Sequence, residues 1–484
     1  MATWYWVGGT GTWNSSTTTN WASTSGGAGG AGVPTSSDTA IIDTNSGTGT
    51  ITCTSASATC LNLTVTATQA ITLTGTLSLI YGNLTYPSSG SFASTVALTF
   101  VGTTTGNTIT TNSITLNNTM TFNGVGGAWT LGSNLLLGNF AFTVTNGSFN
   151  ANNFNVTAGT FTFASTAGLI TVGTGTWTAL GTGTVWSPGT AAGSFSDGSS
   201  NNWTITNNSG VTYSPSGPTT VSNSNSAVFN GSSSYLSTPN QTAFQFGTGN
   251  FTYESWLNPA SLSGNNRAIS LGAYSTSGNF QIECNPTNIT VHINGSFSSY
   301  TYTWTLNTWV YIAVVRNSGT ITVYVNGVSI GTGSQAGTIN STSPLTIGSN
   351  STAGGNIFNG LIYNTRLSNT ALYTTNFTPP TTPLTSSGST VLLLAITQTG
   401  GITKNANINI ADTSTTGKTF AGNSYTYGVL GITGSTGVAT YTITGVNTFA
   451  NITSSKTVAS TLIFSASTIT TLGNFSISLS LIHI

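Results

Sequence analysis

Apolar side chains alternate with Thr, Ser and Asn along most of this chain. The alternation is clear in residues 61–65, 71–74, 140–144 and 161–163. Successive side chains of a β-strand point to opposite faces, so this pattern predicts strands with one apolar face. No long window has apolar residues at helical spacing, and the helix-favouring residues Glu, Lys, Arg and Met are scarce. The sequence therefore predicts an all-β fold.

Residues 46–215 consist of short alternating segments that end at Gly or Asn corners, such as residues 123–124 and 146–148. One rung of a β-solenoid cannot bury its apolar face alone and must stack on its neighbours. Segments with two or three inward apolar residues and polar corners suit this architecture. We predict a β-solenoid-like stalk over residues 46–215, with rungs too irregular to give handedness or rung count. One or two β-sandwiches are the alternative.

The first 45 residues contain Trp4, Trp6, Trp13 and Trp21 among many glycines. The first rung of a solenoid exposes an open apolar end, so an aromatic cap is expected over residues 1–45. Stacking of these tryptophans on sugar rings is the alternative. The stretches W-V-G-G-T-G-T-W, N-W, G-G-A-G-G-A and V-P-T-S-S-D-T-A-I-I-D resemble the N-terminal segment of solenoid proteins on bacterial surfaces and in phage tails.

The composition changes near residue 222, and five of the twelve charges fall between there and residue 366. Residues 227–236, 249–257, 309–316, 321–327 and 344–366 follow in an ordered series. In order and spacing these segments resemble the laminin-G-like jelly roll of the concanavalin A-like lectin/glucanase superfamily. The resemblance implies a central β-sandwich, which we place at residues 218–398.

The pattern of the central residues agrees with this resemblance. Asn326-Gly327 follows an alternating strand and is a strong hairpin signal. Two packed antiparallel sheets need such alternation, and Phe251, Trp256, Trp309 and Phe358 are expected to fill the core.

Beyond the central region, the Thr/Gly/Asn pattern returns. We predict a second β-solenoid-like segment over residues 399–484, similar to the rungs that follow the laminin-G-like unit in phage tail proteins. Its apolar end, residues 479–484, stops in the middle of the pattern. We therefore expect the segment to be truncated.

Charge is nearly absent, with six Lys plus Arg and six Asp plus Glu among 484 residues. A nucleic-acid partner requires clustered Lys and Arg, so this class of partner is not expected. No apolar run approaches the roughly 20 residues of a spanning helix, so membrane insertion is not expected either. The N-terminus lacks the basic start and apolar run of a secretory signal. We expect a protein assembled inside a cell and exposed later, as in a virion. Leaderless secretion is the alternative.

The acids are too few and scattered for general acid–base catalysis, and no catalytic residue is predicted; they are Asp38, Asp43, Asp197, Glu254, Glu283 and Asp412. The acid-rich strand that marks the superfamily's glucanases is absent. Glu254 and Arg366 match the acidic and basic strand residues of the family. We predict that they form a structural ion pair, because an unpaired buried charge is costly.

No metal site is predicted, because Cys and His lack ligand spacing. Cys53 and Cys60 could form one bridge or remain buried thiols, and His292 is interpreted as a sheet histidine with its hydrogen bonds satisfied. Some relatives bind calcium at the sandwich rim, but this chain has Tyr363 and Asn364 where the family often carries acids. No cofactor is expected, although a weak calcium site built from carbonyl groups stays open.

The remaining chemistry is ligand contact through rim loops. A lectin site combines amide hydrogen bonds with an aromatic face. Asparagine is abundant enough for chance to explain the candidates equally well. They are Asn265, Asn266, Arg267, Tyr274 and Asn356.

The sequence thus predicts a non-enzymatic structural or adhesive surface protein, a phage tail fibre or virion-associated protein whose jelly roll binds a cell-surface glycan or receptor. A secreted bacterial adhesin of the same build is the alternative, and a polysaccharide-degrading enzyme is the third hypothesis. The expected location is the virion tail, or the extracellular space and cell surface. The sequence leaves open whether the chain forms a homo-oligomer.

Overall fold

The structure, a computed structural model, describes residues 1–54, 58–221, 224–264, 266–350, 355–423, 425–435, 440–465, 469–477 and 482–483. The regular secondary structure of these residues consists of β-strands and a single 3₁₀ turn, Thr242–Phe244. The described part of the chain has no helix long and apolar enough to cross a membrane. The predicted all-β fold is confirmed.

The chain divides into two compact units. Residues 1–191 and 399–484 form the first unit, and residues 192–398 form the second. The four segments predicted from the sequence stay a prediction, but the structure joins residues 399–484 to the unit that contains residues 1–191.

The first unit begins with short strands, most of them two to five residues long. They are β1 (Thr3–Trp6), β2 (Gly11–Trp13), β3 (Trp21–Ala22), β4 (Thr39–Ile42), β5 (Gly49–Cys53), β6 (Thr59–Cys60), β7 (Asn62–Val65), β8 (Ile71–Ile80), β9 (Leu84–Thr85), β10 (Ala93–Phe100), β11 (Asn107–Thr110), β12 (Met120–Leu131), β13 (Leu135–Leu136), β14 (Phe142–Asn150), β15 (Val156–Ala158), β16 (Phe161–Phe163), β17 (Ala167–Thr171), β18 (Thr176–Ala179) and β19 (Gly183–Ser187).

The second unit contains the next strands, and the last of these runs back into the first unit. They are β20 (Ala192–Asp197), β21 (Thr206–Asn208), β22 (Thr212–Ser214), β23 (Ser226–Asn230), β24 (Tyr235–Thr238), β25 (Phe251–Ser261), β26 (Asn266–Leu271), β27 (Phe280–Asn285), β28 (Asn288–Ile293), β29 (Ser296–Thr301), β30 (Val310–Asn317), β31 (Thr320–Val325), β32 (Val328–Ser334), β33 (Leu345–Ile347), β34 (Asn359–Ser368) and β35 (Thr390–Ile402).

The remaining strands complete the first unit. They are β36 (Ala406–Ala411), β37 (Lys418–Ala421), β38 (Thr426–Thr433), β39 (Thr440–Thr444), β40 (Thr448–Ser454), β41 (Ser460–Ser465), β42 (Thr470–Thr471), β43 (Phe475–Ile477) and β44 (Ile482–His483).

Parallel pairing between strands of successive coils builds the first unit. One column of inward residues runs from Leu135 through Val156 to Trp177, each opposite the next in a parallel register. Asn side chains link the same coils, because Asn134 Oδ1 accepts the backbone N–H of Asn155 at 3.0 Å, 21 residues further on. These ladders are those of a β-solenoid, which confirms that part of the predicted fold class.

The parallel ladder of the first unit continues without a gap from the strands that precede residues 192–398 to the strands that follow them. β17 pairs with β35, β18 with β36 and β19 with β37, all in parallel. A Cβ atom placed on Gly401 would lie 3.0 Å from the Cα of Ala191. The chain therefore leaves the solenoid after Ala191, forms the second unit, and re-enters beside the point of exit.

The predicted stalk boundary at residue 215 differs from the structure. Residues 192–215 lie in the second unit. The reason is their antiparallel pairing, since β21 pairs with β24 and β22 pairs with β23.

Aromatic side chains fill both the start and the middle of the solenoid. Trp6, Trp13 and Trp21 are fully buried, and the Trp21 ring lies 5.1 Å from Trp6 and 5.0 Å from Trp13. These three rings are therefore not accessible for stacking on a sugar ring.

Cys53 and Cys60 are free, buried thiols, and burial raises the pKa of both.

A buried ion pair spans two coils of the solenoid. The registers of β36, β38 and β40 place Asp412, Gly434 and Lys456 at equivalent positions in successive coils. Lys456 Nζ contacts Asp412 Oδ2, and both side chains are fully buried. Gly434 has a φ of 122° and carries no side chain between them. Because Gly434 has no side chain, the Lys456 side chain can extend past it to Asp412.

Replacement of Gly434 by Ala is expected to destabilise the solenoid by about 1–3 kcal/mol, the range for a strained backbone conformation. The new Cβ would lie 2.6 Å from the Cβ of Asp412, in addition to the unfavourable positive φ. Urea unfolding measures the loss. Gly106→Ala is the matched control, because Gly106 has a φ of 82° and open space around its would-be Cβ. Equal losses for the two variants would contradict the contact with Asp412.

The second unit is a sandwich of antiparallel sheets. The strand order of one sheet is β21-β24-β33-β26-β27-β28-β29. In the other, β25 lies between β30 and β34. Phe251 and Phe358 are fully buried in the shared core. Trp256 instead packs with Tyr311 in a separate cluster, and Trp309 is only partly buried against that cluster. The expected sandwich is confirmed, with two of the four predicted core aromatics outside the main core.

Candidate functional site

Polar side chains gather on the outer face of the seven-stranded sheet. Along β27 and β28, Ile282 and Val291 enter the core, so the alternate residues Glu283, Thr290 and His292 face outward. Phe297 on β29 lies directly opposite His292. Together they line a cavity of about 230 Å³, which is also lined by Tyr274, Asn285, Asn288 and Ser299.

The floor of this cavity is a buried, charge-compensated network. Arg267 forms an ion pair with Glu283 through Nη1 and donates from Nε to Gln281 Oε1 at 2.9 Å. His292 Nε2 lies 2.9 Å from Glu283 Oε2. Burial lowers the pKa of Arg267 to about 10, which keeps it protonated at neutral pH. The charge of Glu283 is therefore balanced inside the protein.

His292 is uncharged at neutral pH. Burial, and secondarily the charge of Arg267, lowers its pKa to about 4. Because Arg267 balances Glu283, the cost of desolvating the imidazolium decides the direction of the shift. The neutral ring can donate from Nε2 to Glu283, which leaves Nδ1 as an acceptor.

We expect the second unit to lose stability as the pH falls from 6.5 towards 4. In this window unfolded His292 binds a proton but folded His292 does not, so unfolding takes up a proton. The loss is bounded by about 1.4 kcal/mol per pH unit. Urea unfolding at several pH values, compared with His292→Gln, isolates this contribution. An identical pH profile for the two proteins would contradict it.

Two exposed aromatic rings flank His292. The Tyr274 ring lies 5.3 Å from the imidazole and Phe297 lies 5.7 Å from it. Tyr274 is 49% exposed and Phe297 is 59% exposed, which is unusual for aromatic residues in the described part of this protein. Arg267 lies 5.9 Å from the centroid of the Tyr274 ring. The result is a shallow site with aromatic walls and a polar floor.

The structure brings together two of the five predicted ligand residues, Arg267 and Tyr274. Arg267 is buried, however, so it supports the floor and does not face solvent. Asn266 is also buried, and its amide donates to the Gly264 carbonyl at 3.0 Å.

Of the other two predicted ligand residues, Asn356 does not line the cavity. Asn356 is exposed, and its backbone carbonyl accepts the N–H of Arg267 at 3.1 Å. Asn265 lies outside the described residues.

Sequence reasoning missed Phe297, Asn285, Asn288 and the contact of Glu283 with His292. The signal that could have found them is the alternation along β27, β28 and β29. It places positions 283, 292 and 297 on one face once the hairpin registers are known.

Glu254 lies on β25, in the other sheet, and forms an ion pair with Arg366. Arg366 Nη2 contacts Glu254 Oε1 at 2.6 Å, and Tyr373 Oη donates to Oε2 at 2.7 Å. Tyr311 Oη donates to the same Oε2, and burial raises the pKa of both tyrosines. Glu254 and Glu283 therefore do not face each other across one groove.

The described ranges contain no group of three or more His, Cys, Asp or Glu side chains that could hold a metal ion. Cys284 is a free, buried thiol, and burial raises its pKa to about 12.

Comparison with known proteins identifies the fold of the second unit. Residues 230–376 match the Concanavalin A-like lectin/glucanases superfamily. Domain 4 of AbnA, an extracellular GH43 arabinanase from Geobacillus stearothermophilus solved with arabinotriose, is 20% identical over 36% of this chain and 84% of that domain, with a TM-score of 0.29. No curated protein matches this chain.

Two further solved structures are similar over less than half of their own length. Domains LG4–5 of the mouse laminin α1 chain are 15% identical over 32% of this chain and 46% of that one, with a TM-score of 0.25. Botulinum neurotoxin type C, whose cell entry depends on two ganglioside molecules, is 13% identical over 38% of this chain and 49% of that one, with a TM-score of 0.29.

Proposed function

We propose that this chain is a non-enzymatic surface protein whose second unit binds a cell-surface glycan or a glycan-bearing receptor. The observation that carries the proposal is the pair of exposed rings, Tyr274 and Phe297, on either side of His292. Aromatic rings give the C–H faces of a sugar a large apolar surface, and a few placed polar groups fix its orientation.

The polar groups of the cavity are already positioned before a ligand binds. Asn285 Nδ2 donates to Asn288 Oδ1 at 3.0 Å, and Thr290 Oγ1 donates to the same oxygen at 2.9 Å. Thr290 also shares a 2.9 Å hydrogen bond with Ser299. Side chains ordered in this way lose little further entropy on binding, which favours affinity for sugar hydroxyls.

The carboxylates support binding and not hydrolysis. Glycoside hydrolysis ordinarily needs two carboxyl groups about 5–10 Å apart across the scissile bond. Glu283 is the acid that lines the cavity, and both Arg267 and His292 contact it. Release of sugar from a bound glycan, abolished by Glu283→Gln or Glu254→Gln, would overturn the non-enzymatic assignment.

Truncation of either ring, by Tyr274→Ala or Phe297→Ala, is expected to weaken glycan binding about tenfold. Aromatic residues are enriched at binding interfaces, and Tyr is enriched among the interface residues whose truncation costs more than about 1 kcal/mol. The measurement is a glycan array of the full chain, followed by calorimetric titration of the best glycan. Phe140→Ala in the solenoid is the matched control, because Phe140 is also exposed, at 40%.

The control and the array together decide the proposal. Phe140→Ala should bind as the unaltered protein does. Full binding by a Tyr274→Ala, Phe297→Ala double variant would move the glycan site elsewhere, and a blank array would reject glycan recognition.

We infer further that the solenoid is a stalk on a virion, as a phage tail fibre or virion-associated protein. Its support is the resemblance of the Trp- and Gly-rich segment at residues 1–45 to phage tail and bacterial surface proteins. Peptides of this chain in purified virions would support this role. Their presence only in the bacterial wall fraction would favour the alternative, a secreted adhesin. Light scattering would give the oligomeric state.

A further inference from the structure

Two atoms at the floor of the aromatic site, the cavity between Tyr274 and Phe297, remain open to a ligand. Glu283 uses Oε2 for its contacts with Arg267 and with His292 Nε2. No hydrogen bond from the described residues reaches Glu283 Oε1 or His292 Nδ1. Neither atom belongs to the fully buried side-chain atoms that lack a partner, so both have surface that a ligand can contact. Because Nε2 of the neutral ring donates to Glu283, both open atoms are acceptors.

The positive charge at the floor is inaccessible to a ligand. Arg267 is fully buried, and its Nη1 and Nη2 atoms have almost no exposed surface. Within the described part of the chain, neither Lys nor Arg lines the cavity. An anionic group of a ligand would therefore lie beside the Glu283 carboxylate and would have no cation to contact. Such a group loses hydration without compensation, so the site disfavours anions.

A cationic group of a ligand is disfavoured by the same arrangement. Burial, and secondarily the charge of Arg267, lowers the pKa of His292 to about 4, so the imidazole carries no charge at neutral pH. An ammonium group in contact with Glu283 Oε1 would meet the same two costs, desolvation and repulsion by Arg267. An uncharged hydroxyl group meets neither cost and can donate to either open acceptor.

We propose that the aromatic site is specific for uncharged sugars, whose hydroxyl groups donate to Glu283 Oε1 and His292 Nδ1. Sugars that would place a carboxylate, sulfate or ammonium group at this floor are excluded. This ligand class rests on the proposed glycan function, since it concerns the same site. Asn285 and Asn288, which also line the cavity, are neutral and can bond to further hydroxyl groups of the sugar.

The test is a glycan array of the full chain that carries uncharged glycans and, on the same cores, their sialylated, sulfated and amine-bearing forms. The uncharged glycans are expected to bind, and each charged form at least about tenfold more weakly. The Tyr274→Ala, Phe297→Ala double variant should lose this binding. Ring-dependent binding that is equal or stronger for a charged form would overturn the proposal but leave glycan recognition standing. A blank array, or binding that the double variant keeps, would reject the proposed function itself.

Glu283→Gln tests whether the floor provides this selectivity. The variant keeps the shape of the side chain but removes its charge, so the best uncharged glycan is expected to bind about tenfold more weakly. The anionic form of that glycan no longer meets a carboxylate, and the charge of Arg267 is no longer balanced. The ratio of the two affinities should therefore shift towards the anionic form by at least about tenfold. A general folding defect would lower both affinities and leave their ratio unchanged.

Glu254→Gln is the matched control for this variant. Glu254 is also a buried glutamate of the second unit, and it contacts Arg366 in the other sheet. Its replacement should leave the ratio of affinities unchanged. The same ratio in a Glu283→Gln protein that is folded by circular dichroism would contradict the role of the floor. If Glu283→Gln does not fold, the array of the unaltered chain still decides between uncharged and charged sugars.

Discussion

Replacement of Trp186 by Ala is expected to lower the free energy of unfolding of the solenoid by about 3–5 kcal/mol, the range for truncating a buried Trp. Trp186 is fully buried. Its ring lies 5.4 Å from Phe161, 5.9 Å from Trp177 and 6.2 Å from Phe420. The side chain thus joins coils that precede residues 192–398 to a coil that follows them.

Urea unfolding and hydrogen exchange measure this loss. Exchange should accelerate in both residues 161–187 and residues 418–433, because the two stretches share the ring. Phe140→Ala, at an exposed position, should change stability by less than about 0.5 kcal/mol. Faster exchange in residues 161–187 alone would contradict the continuous ladder.

Replacement of Arg366 by Met is expected to destabilise the second unit by a similar amount, about 3–5 kcal/mol. Glu254 is fully buried, and Arg366 is the cation that contacts it. Tyr311 and Tyr373 would still donate hydrogen bonds, but the carboxylate charge would be uncompensated in a medium of low dielectric constant. The cost of the variant is therefore the cost of an isolated buried charge.

A double variant separates the charge from the packing. Glu254→Gln combined with Arg366→Met removes both charges, and its loss should be smaller than that of Arg366→Met alone. Urea unfolding of the two single variants and the double variant gives the coupling energy. Additive losses would show that the pair contributes nothing beyond its separate contacts.

Local pattern was enough to predict the strands but not their partners. Alternation is a property of neighbouring residues, so the all-β fold and the ordered segments of the sandwich could be predicted. More than 200 residues separate β18 from β36 in the sequence, so no local pattern predicts that these strands pair or in which register. The sequence therefore predicted two solenoid segments, whereas the parallel pairing joins them into one solenoid.

The candidate site was predictable to a similar degree. Arg267 and Tyr274 stand out because charges and loop aromatics are rare in this chain. The position of Arg267 opposite Glu283, and of Glu283 on the same face as His292, depends on strand pairing. Tyr274 reaches His292 from the loop after β26. Asn266 was chosen for its amide, and the amide donates to a carbonyl of its own loop.

The adjacency of Ala191 and Gly401 has a consequence for evolution. A segment whose two ends meet at one point of a repeating scaffold can be exchanged by recombination without shifting the repeats on either side. Under the proposed function, new recognition specificity could then be acquired in one genetic event, while the solenoid is inherited unchanged.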